Sequence, residues 1–389
     1  MRSLAAFGVL AVAAMTISGC GRGDSTTAPA NSTAGTEAAT SNPNPNPTEV
    51  APSLPAVPFG YSDLSVPLPP WFTGPGPGGS AVAADNTPAS NPTTDAGATL
   101  GRVLFYDTRL SSTGTIACGS CHLQSLGFGD TTRFSKGVAG VTARHTMSLA
   151  NARFYARGHF FWDERANALE DQVLQPIQNP VEMGETLPDV VAKVSASNFY
   201  PALFKAAFGT TEVTSARISL ALAQFVRSLV SSHSRYDAAF ANSTQPNFAL
   251  LTQEEQQGQQ LFVQSGCGAC HATNAVIADN IHNNGLDAAT TDVGAGNGQF
   301  KAPSLRNVGL RSSFMHDGRF ATLQQVVAFY DSGVQPNPAL DGRLRGPQGV
   351  PKRLNLTQAQ RDALVAFLNT LTDSTFISDV RFSSPFPKP

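Results

Sequence analysis

The chain has 389 residues, room for about two or three domains of ~150 residues each, and its 26 Lys and Arg against 28 Asp and Glu leave a formal charge of −2. That near balance offers no basic field for a phosphate backbone, which excludes nucleic acid as a partner class. Charged residues make up only 14% of the chain, but 41% are hydrophobic and 24 are Phe, so a sizeable core can form, while 34 Gly and 27 Pro point to long irregular stretches.

The N-terminus reads Met1-Arg2-Ser3, then an apolar run from Leu4 to Ile17, then Ser18-Gly19-Cys20. One charge, a short apolar run and small residues ahead of a cysteine describe a secretory signal over residues 1–20, too short for a comfortable membrane span of ~20 residues. The Ile17-Ser18-Gly19-Cys20 ending resembles a bacterial lipoprotein signal, which implies that Cys20 becomes the lipidated first residue of an exported chain; an ordinary signal with a stray cysteine is the alternative. By the same resemblance, Gly21 rather than Asp after the cysteine favours the outer membrane on its periplasmic side, with the lipid as the membrane attachment. Residues 21–96 are Pro, Asn, Thr, Ser, Ala and Gly with few aliphatics. They predict a disordered tether, along which Tyr61 and Trp71-Phe72 are candidates for local docking on the body.

The other four cysteines lie in Cys118-Gly119-Ser120-Cys121-His122 and Cys267-Gly268-Ala269-Cys270-His271. On a helical turn, positions i, i+3 and i+4 share a face, so two thiols can bond the vinyl groups of a haem while the imidazole reaches its iron from the same side. Disulfides, a four-cysteine zinc site and a thioredoxin-like pair compete for this spacing, but none needs a histidine after each second cysteine. The motifs therefore predict two covalently bound haem c groups, with His122 and His271 as proximal iron ligands. Gly101-Arg102-Val103-Leu104-Phe105 precedes the first motif and Gly258-Gln259-Gln260-Leu261-Phe262 the second, each on a predicted helix, so the unit is duplicated.

Further helices follow from apolar spacing and capping pairs. Ser215 to Val230 is the matching helix of the first half. Thr252 with Glu255 starts the helix before the second motif, Thr322 with Gln325 starts Thr322 to Asp331, and Thr357 with Gln360 starts a helix ending near Leu371. No run alternates convincingly as a strand. The predicted fold is mostly α: two tandem cytochrome c-type domains with long haem-enclosing loops, residues 97–245 and 246–389, dividing where Asn242 to Asn247 interrupts the pattern.

Two haems allow either an electron carrier, with both irons six-coordinate, or a peroxidase, with one open position beside an acid/base group. Leu100 to Ser111, Phe161-Trp162-Asp163-Glu164-Arg165-Ala166 followed by Leu169-Glu170, Pro176 to Gly184, Leu305-Arg306-Asn307 and His316-Asp317-Gly318 together resemble the bacterial dihaem cytochrome c peroxidase and MauG family. The resemblance runs from about Leu100 to Leu371. It implies a peroxide-reacting N-terminal haem and an electron-transferring C-terminal haem.

Departures from the family pattern sharpen that expectation. Where peroxidases that need reductive activation carry a ligating histidine, this chain has Val138, which implies an open first iron; His145 and His159 are weaker candidates for replacing that ligand. The distal ligand of the second haem, often methionine, falls at Tyr330, as in the MauG branch, with Met315 the next candidate. A phenolate ligand favours oxidised iron. The resemblance puts the peroxide acid/base group at Glu170, although the partner glutamine is replaced by Phe160. Trp162, Asp163 and Arg165 are expected to build a wall and an ion pair, and the family's bridging tryptophan to fall at Ala150. His316 is expected beside the second haem. Calcium between the domains is possible, through carbonyls near Arg311 and Ser313.

The leading expectation is a peroxidase that reduces hydrogen peroxide with electrons from a small cytochrome c or cupredoxin. A MauG-like oxidase acting on a side chain of a partner protein is one alternative, and a non-catalytic dihaem carrier is another.

Overall fold

The computed structural model describes residues 49–74, 80–241, 243–271, 276 and 280–387. The signal-like run, Cys20 and the first part of the expected tether lie outside the described residues. Helix α1 (Asp95–Tyr106) starts where the Thr94 hydroxyl accepts the Gly97 amide, and α2 (Ser215–Ser228) starts in the same way at Thr214 and Arg217. In the second half, α3 (Gln253–Gln264) and α4 (Gln358–Asn369) each begin with a reciprocal capping box, Thr252 with Glu255 and Thr357 with Gln360.

Both halves use the same crossing. A Cβ on Gly101 would stand 2.0 Å from the Ala221 carbonyl oxygen, and one on Gly258 would stand 1.9 Å from that of Ala363. Only glycine lets the two backbones meet this closely. The next contact repeats as well, Phe105 against Phe225 at 5.2 Å and Phe262 against Phe367 at 5.4 Å between ring centroids. The Gly-x-x-Leu-Phe repeat of the sequence is thus the imprint of one helix crossing made twice.

Three features differ from expectation. First, residues 49–74 and 80–96 do not form a free tether: Tyr61, Trp71, Phe72 and Ala81 are buried. Trp71 stacks on Phe240 and donates its indole N–H to Asp237, and Arg153 is gripped by Asp63 and Asp85. A few large rings bury enough surface to hold a segment whose overall composition reads as disordered. Second, two short antiparallel pairs exist, Lys136–Gly137 with Gly140–Val141 and Ile281–His282 with Phe300–Lys301, too brief to show as alternation. Third, the chain past Asp373 returns to the first half. Phe376 packs on Phe128, and Tyr106 and Arg102 donate to the carbonyls of Phe382 and Ser383. A boundary at residue 245 therefore does not assign the tail, whose Phe376 and Phe382 belong to the first core.

The halves are joined by a buried polar seam. The fully buried Arg306 pairs with Asp237, while the Asp373 carboxylate accepts the amides of Ser232 and His233 and the hydroxyl of Ser231. Such a seam is stable only because each charge has partners. Among the described residues, no helix is long and apolar enough to cross a membrane.

Candidate functional site: two haem attachment pockets

Cys118–Cys121 form one helical turn, which places the first pair of thiols and His122 on one side. His122 Nδ1 lies 2.9 Å from the Phe128 carbonyl oxygen. Donation to that carbonyl leaves Nε2 as the unprotonated nitrogen, the state needed to bind iron. A Cβ at Gly119 would meet the Tyr106 ring at 2.5 Å, which explains one small residue of the motif. The second pair sits on the turn Cys267–Ala269, with Cys270 and His271 next. None of these four cysteines forms a disulfide. Burial pushes the thiols of Cys118, Cys121 and Cys267 up, to about 12, 11 and 11. Unbridged thiol pairs, each beside a histidine, fit thioether attachment of haem.

A cavity of about 230 Å³ opens at the second motif, lined by Cys267, Cys270, His271, Met315, Tyr330, Leu364 and Leu368, and closed from the first half by Trp162 and His145. Cys267, Cys270, His271, Met315, Tyr330, Trp162 and His145, all singled out in the sequence, thus converge on one space. The helix Leu323–Ala328 widens into a π turn over Phe329–Gly333, the step that carries Tyr330. Asn284 Nδ2 donates to the Tyr330 hydroxyl at 3.3 Å and stands 3.5 Å from Met315 Sδ, so one amide spans both candidate ligands. Burial raises the Tyr330 pKa to about 12, so the phenol keeps its proton until a metal displaces it. His316 lies beside the same cavity, stacked on Phe300 at 3.7 Å.

Two acidic residues of the first half, Glu170 and Glu182, stand in contrasting surroundings. Glu170 faces Arg227, which donates to both carboxylate oxygens at 2.5 and 2.9 Å, and Asn91 adds a bond of 2.8 Å. Burial acts to raise its pKa, but the Arg227 and Asn91 bonds outweigh burial and hold it below the usual carboxylate range. Arg227 is itself 1% exposed, so the pair is a structural anchor. Glu182 is the opposite case. Burial raises its pKa against the weaker pull of Arg165 and of Asn179, whose amide donates to Oε1 at 2.8 Å. Its charge acts on both Cys118 and Cys121.

The Glu182 backbone is held by the hairpin that carries Val138. The Val138 amide donates to the Glu182 carbonyl at 3.0 Å and that of Ala139 to Val181 at 3.2 Å. A Cβ on Gly137 would be 2.0 Å from the Val181 oxygen, so the hairpin and the turn at Val181 are in backbone contact. Glu182 stood in the Pro176 to Gly184 motif without a role; the neighbouring left-handed Gly184, at φ 63°, was the local sign that the chain turns there.

Trp162 is buried, donates to the His145 carbonyl at 2.7 Å and lines the second cavity, whereas Ala150 lies in the first core. Asp163 forms the expected ion pair, with both Arg165 and Arg144. His145 Nδ1 is taken by the Arg133 carbonyl, and His159 stands 3.9 Å from the Glu164 carboxylate. Arg311 and Ser313, whose carbonyls the resemblance assigns to calcium, both line the second cavity.

Residues 95–245 match the family described as di-haem cytochrome c peroxidase, and residues 255–372 match cytochrome c. The chain is 34% identical to the methylamine utilization protein MauG of Methylorubrum extorquens over 303 residues, covering 73% of this chain and 80% of that one. It is 35% identical to the cytochrome c551 peroxidase of Nitrosomonas europaea, over 71% of this chain and 79% of that one. A crystal structure of a MauG-like protein associated with microbial copper homeostasis superposes with a TM-score of 0.67 at 34% identity, covering 77% of this chain and 96% of that one. Two thiol pairs with their histidines, on two copies of one helix crossing, together with these likenesses, make the chain a member of the dihaem cytochrome c peroxidase and MauG family, a peroxidase-type oxidoreductase that carries haem c.

Proposed function

We propose that the chain reduces hydrogen peroxide at the first site, with Glu182 as the proton-moving group and Tyr330 as the second ligand of the second haem. Haem iron, when bound, supplies the redox centre that accepts the oxidising equivalents of peroxide. The chain supplies the rest. His122, oriented by the Phe128 carbonyl, holds one side. Val138, where the resemblance puts a ligand in other members, offers no ligating atom, and its backbone is bonded to that of Glu182. A carboxylate whose pKa is raised by burial is a stronger base and sits closer to the working pH: Oε2, free of the Asn179 bond, would take the proton from one peroxide oxygen and deliver it to the other, which would leave as water, the haem supplying the electrons that reduce the oxygen left behind. Trp162 is the proposed aromatic between the two sites.

The observation that carries this reading is the pairing of Val138 with Glu182 next to Cys118 and Cys121. Glu182→Gln should slow the reaction with peroxide by ~100-fold or more, while Glu170→Gln should chiefly lower stability. In the unmodified protein the rate should fall as pH drops through the raised Glu182 pKa, because the protonated carboxyl cannot take the first proton; the variant should lose that slope. Stopped-flow mixing with peroxide measures both, and an unchanged rate in Glu182→Gln would end the assignment.

The electrons come, on this reading, from a small cytochrome c or cupredoxin on the periplasmic side, where the signal-like N-terminus would direct the chain as an outer-membrane lipoprotein anchored at Cys20. Tyr330 in the second cavity, with relatives named MauG, favours a second reading, oxidation of a side chain on a partner protein. Turnover with reduced cytochrome separates the two.

A further inference from the structure

Arg311 lines the cavity of the second haem, on the side closed by His145 and Trp162 of the first half. Its Nη2 donates to the carbonyls of Ser304 at 2.6 Å and Arg306 at 3.5 Å. Its Nε is buried with no acceptor. Among the described residues it forms no ion pair, and burial lowers its pKa to about 10. A buried guanidinium without a counter-charge is costly in any fold. Other cations of the same wall are already engaged. Lys301 Nζ donates to the His159 carbonyl at 3.0 Å and sits 3.5 Å over the Tyr155 ring, and Lys352 donates to Ser265 at 3.1 Å.

The missing counter-charge has an obvious chemical source. A haem c is fixed by thioethers at one edge and carries two propionate carboxylates at the opposite edge. Here the thioether edge is marked by Cys267 and Cys270. Cys267 feels Lys352, and Cys270 lies 3.4 Å from Arg343. Arg311 instead acts on His145, whose pKa is lowered by burial and by the Arg311 charge.

We propose that Arg311 is the resident counter-ion for a propionate of the second haem, so that a guanidinium of this chain occupies the place between the halves where relatives by resemblance hold calcium. The guanidinium fork matches a carboxylate with two parallel N–H bonds, which would satisfy the orphaned Nε. A positive charge there favours the reduced, more negative haem and raises its midpoint potential.

The proposal rests on the presence of the second haem, so haem content, two per chain, is measured first on every preparation. In the dihaem protein, Arg311→Met should shift the second haem toward the oxidised form by at least about tenfold, ~59 mV for one electron, and Arg311→Lys should restore most of the shift. An Arg311→Met midpoint equal to that of the unmodified protein overturns the assignment. If Arg311→Met does not fold, infrared spectra of unmodified protein with 13C-labelled propionates serve in its place. Ionised carboxylates at pH 5 agree with the proposal, and a protonated propionate on the second haem at that pH contradicts it. A chelator should leave the unmodified midpoint in place; a loss restored by calcium would show that the metal, not Arg311, is the counter-ion.

Discussion

Gly101 brings α1 onto α2 in the first half as Gly258 brings α3 onto α4 in the second, and each crossing leads into a turn that presents two cysteines and a histidine. The loops that follow differ. In the first half a hairpin at Val138 locks the backbone of Glu182 and offers no ligand. In the second, a π turn brings Tyr330 into the cavity with Met315 and Asn284 beside it. The helix crossing and attachment turn set the haem-holding chemistry, and the loops between them set what each iron can do. On the proposed reading, that division of labour would let one duplicated unit serve both as a reaction centre and as a partner that shares its oxidising equivalents.

The comparison breaks most sharply at Tyr330. In Tyr330→Phe the low-spin ferric signal of the second haem should vanish while the first haem keeps its own, as read by electron paramagnetic resonance. Should the low-spin signal persist there and disappear in Met315→Leu, the thioether is the ligand and the second half resembles an ordinary carrier more closely. A smaller effect tests the shared part. Gly101→Ala and Gly258→Ala each push a methyl into a backbone carbonyl, and each should cost about 1–3 kcal/mol in denaturant unfolding. Loss in one variant only would mean that the two crossings are not equivalent.

Much of this was legible in the sequence, because the attachment motifs, the Gly-x-x-Leu-Phe repeat and the capping pairs are local patterns with local causes. Tyr330 could be placed by its fixed distance from a recognisable motif. Glu170 could not be separated from Glu182 in this way: both are acidic residues inside family motifs, and the difference lies in Arg227 and Asn91, which are distant in sequence and arrive only through packing. The docking of residues 49–96 was only partly visible for a related reason. Tyr61, Trp71 and Phe72 are few, and their partners Arg381, Asp237, Phe240 and Phe154 belong to other segments. The orphaned Nε of Arg311 has no sequence signature, since it depends on a cavity wall built from both halves.

The central claim is that the first iron is open in the oxidised protein and the second is not. Electron paramagnetic resonance of the protein as purified, before and after addition of peroxide, tests it directly. The account predicts one high-spin and one low-spin ferric haem, with the high-spin signal consumed by peroxide without prior reduction. Two low-spin haems, both inert to peroxide, would contradict it and leave an electron carrier.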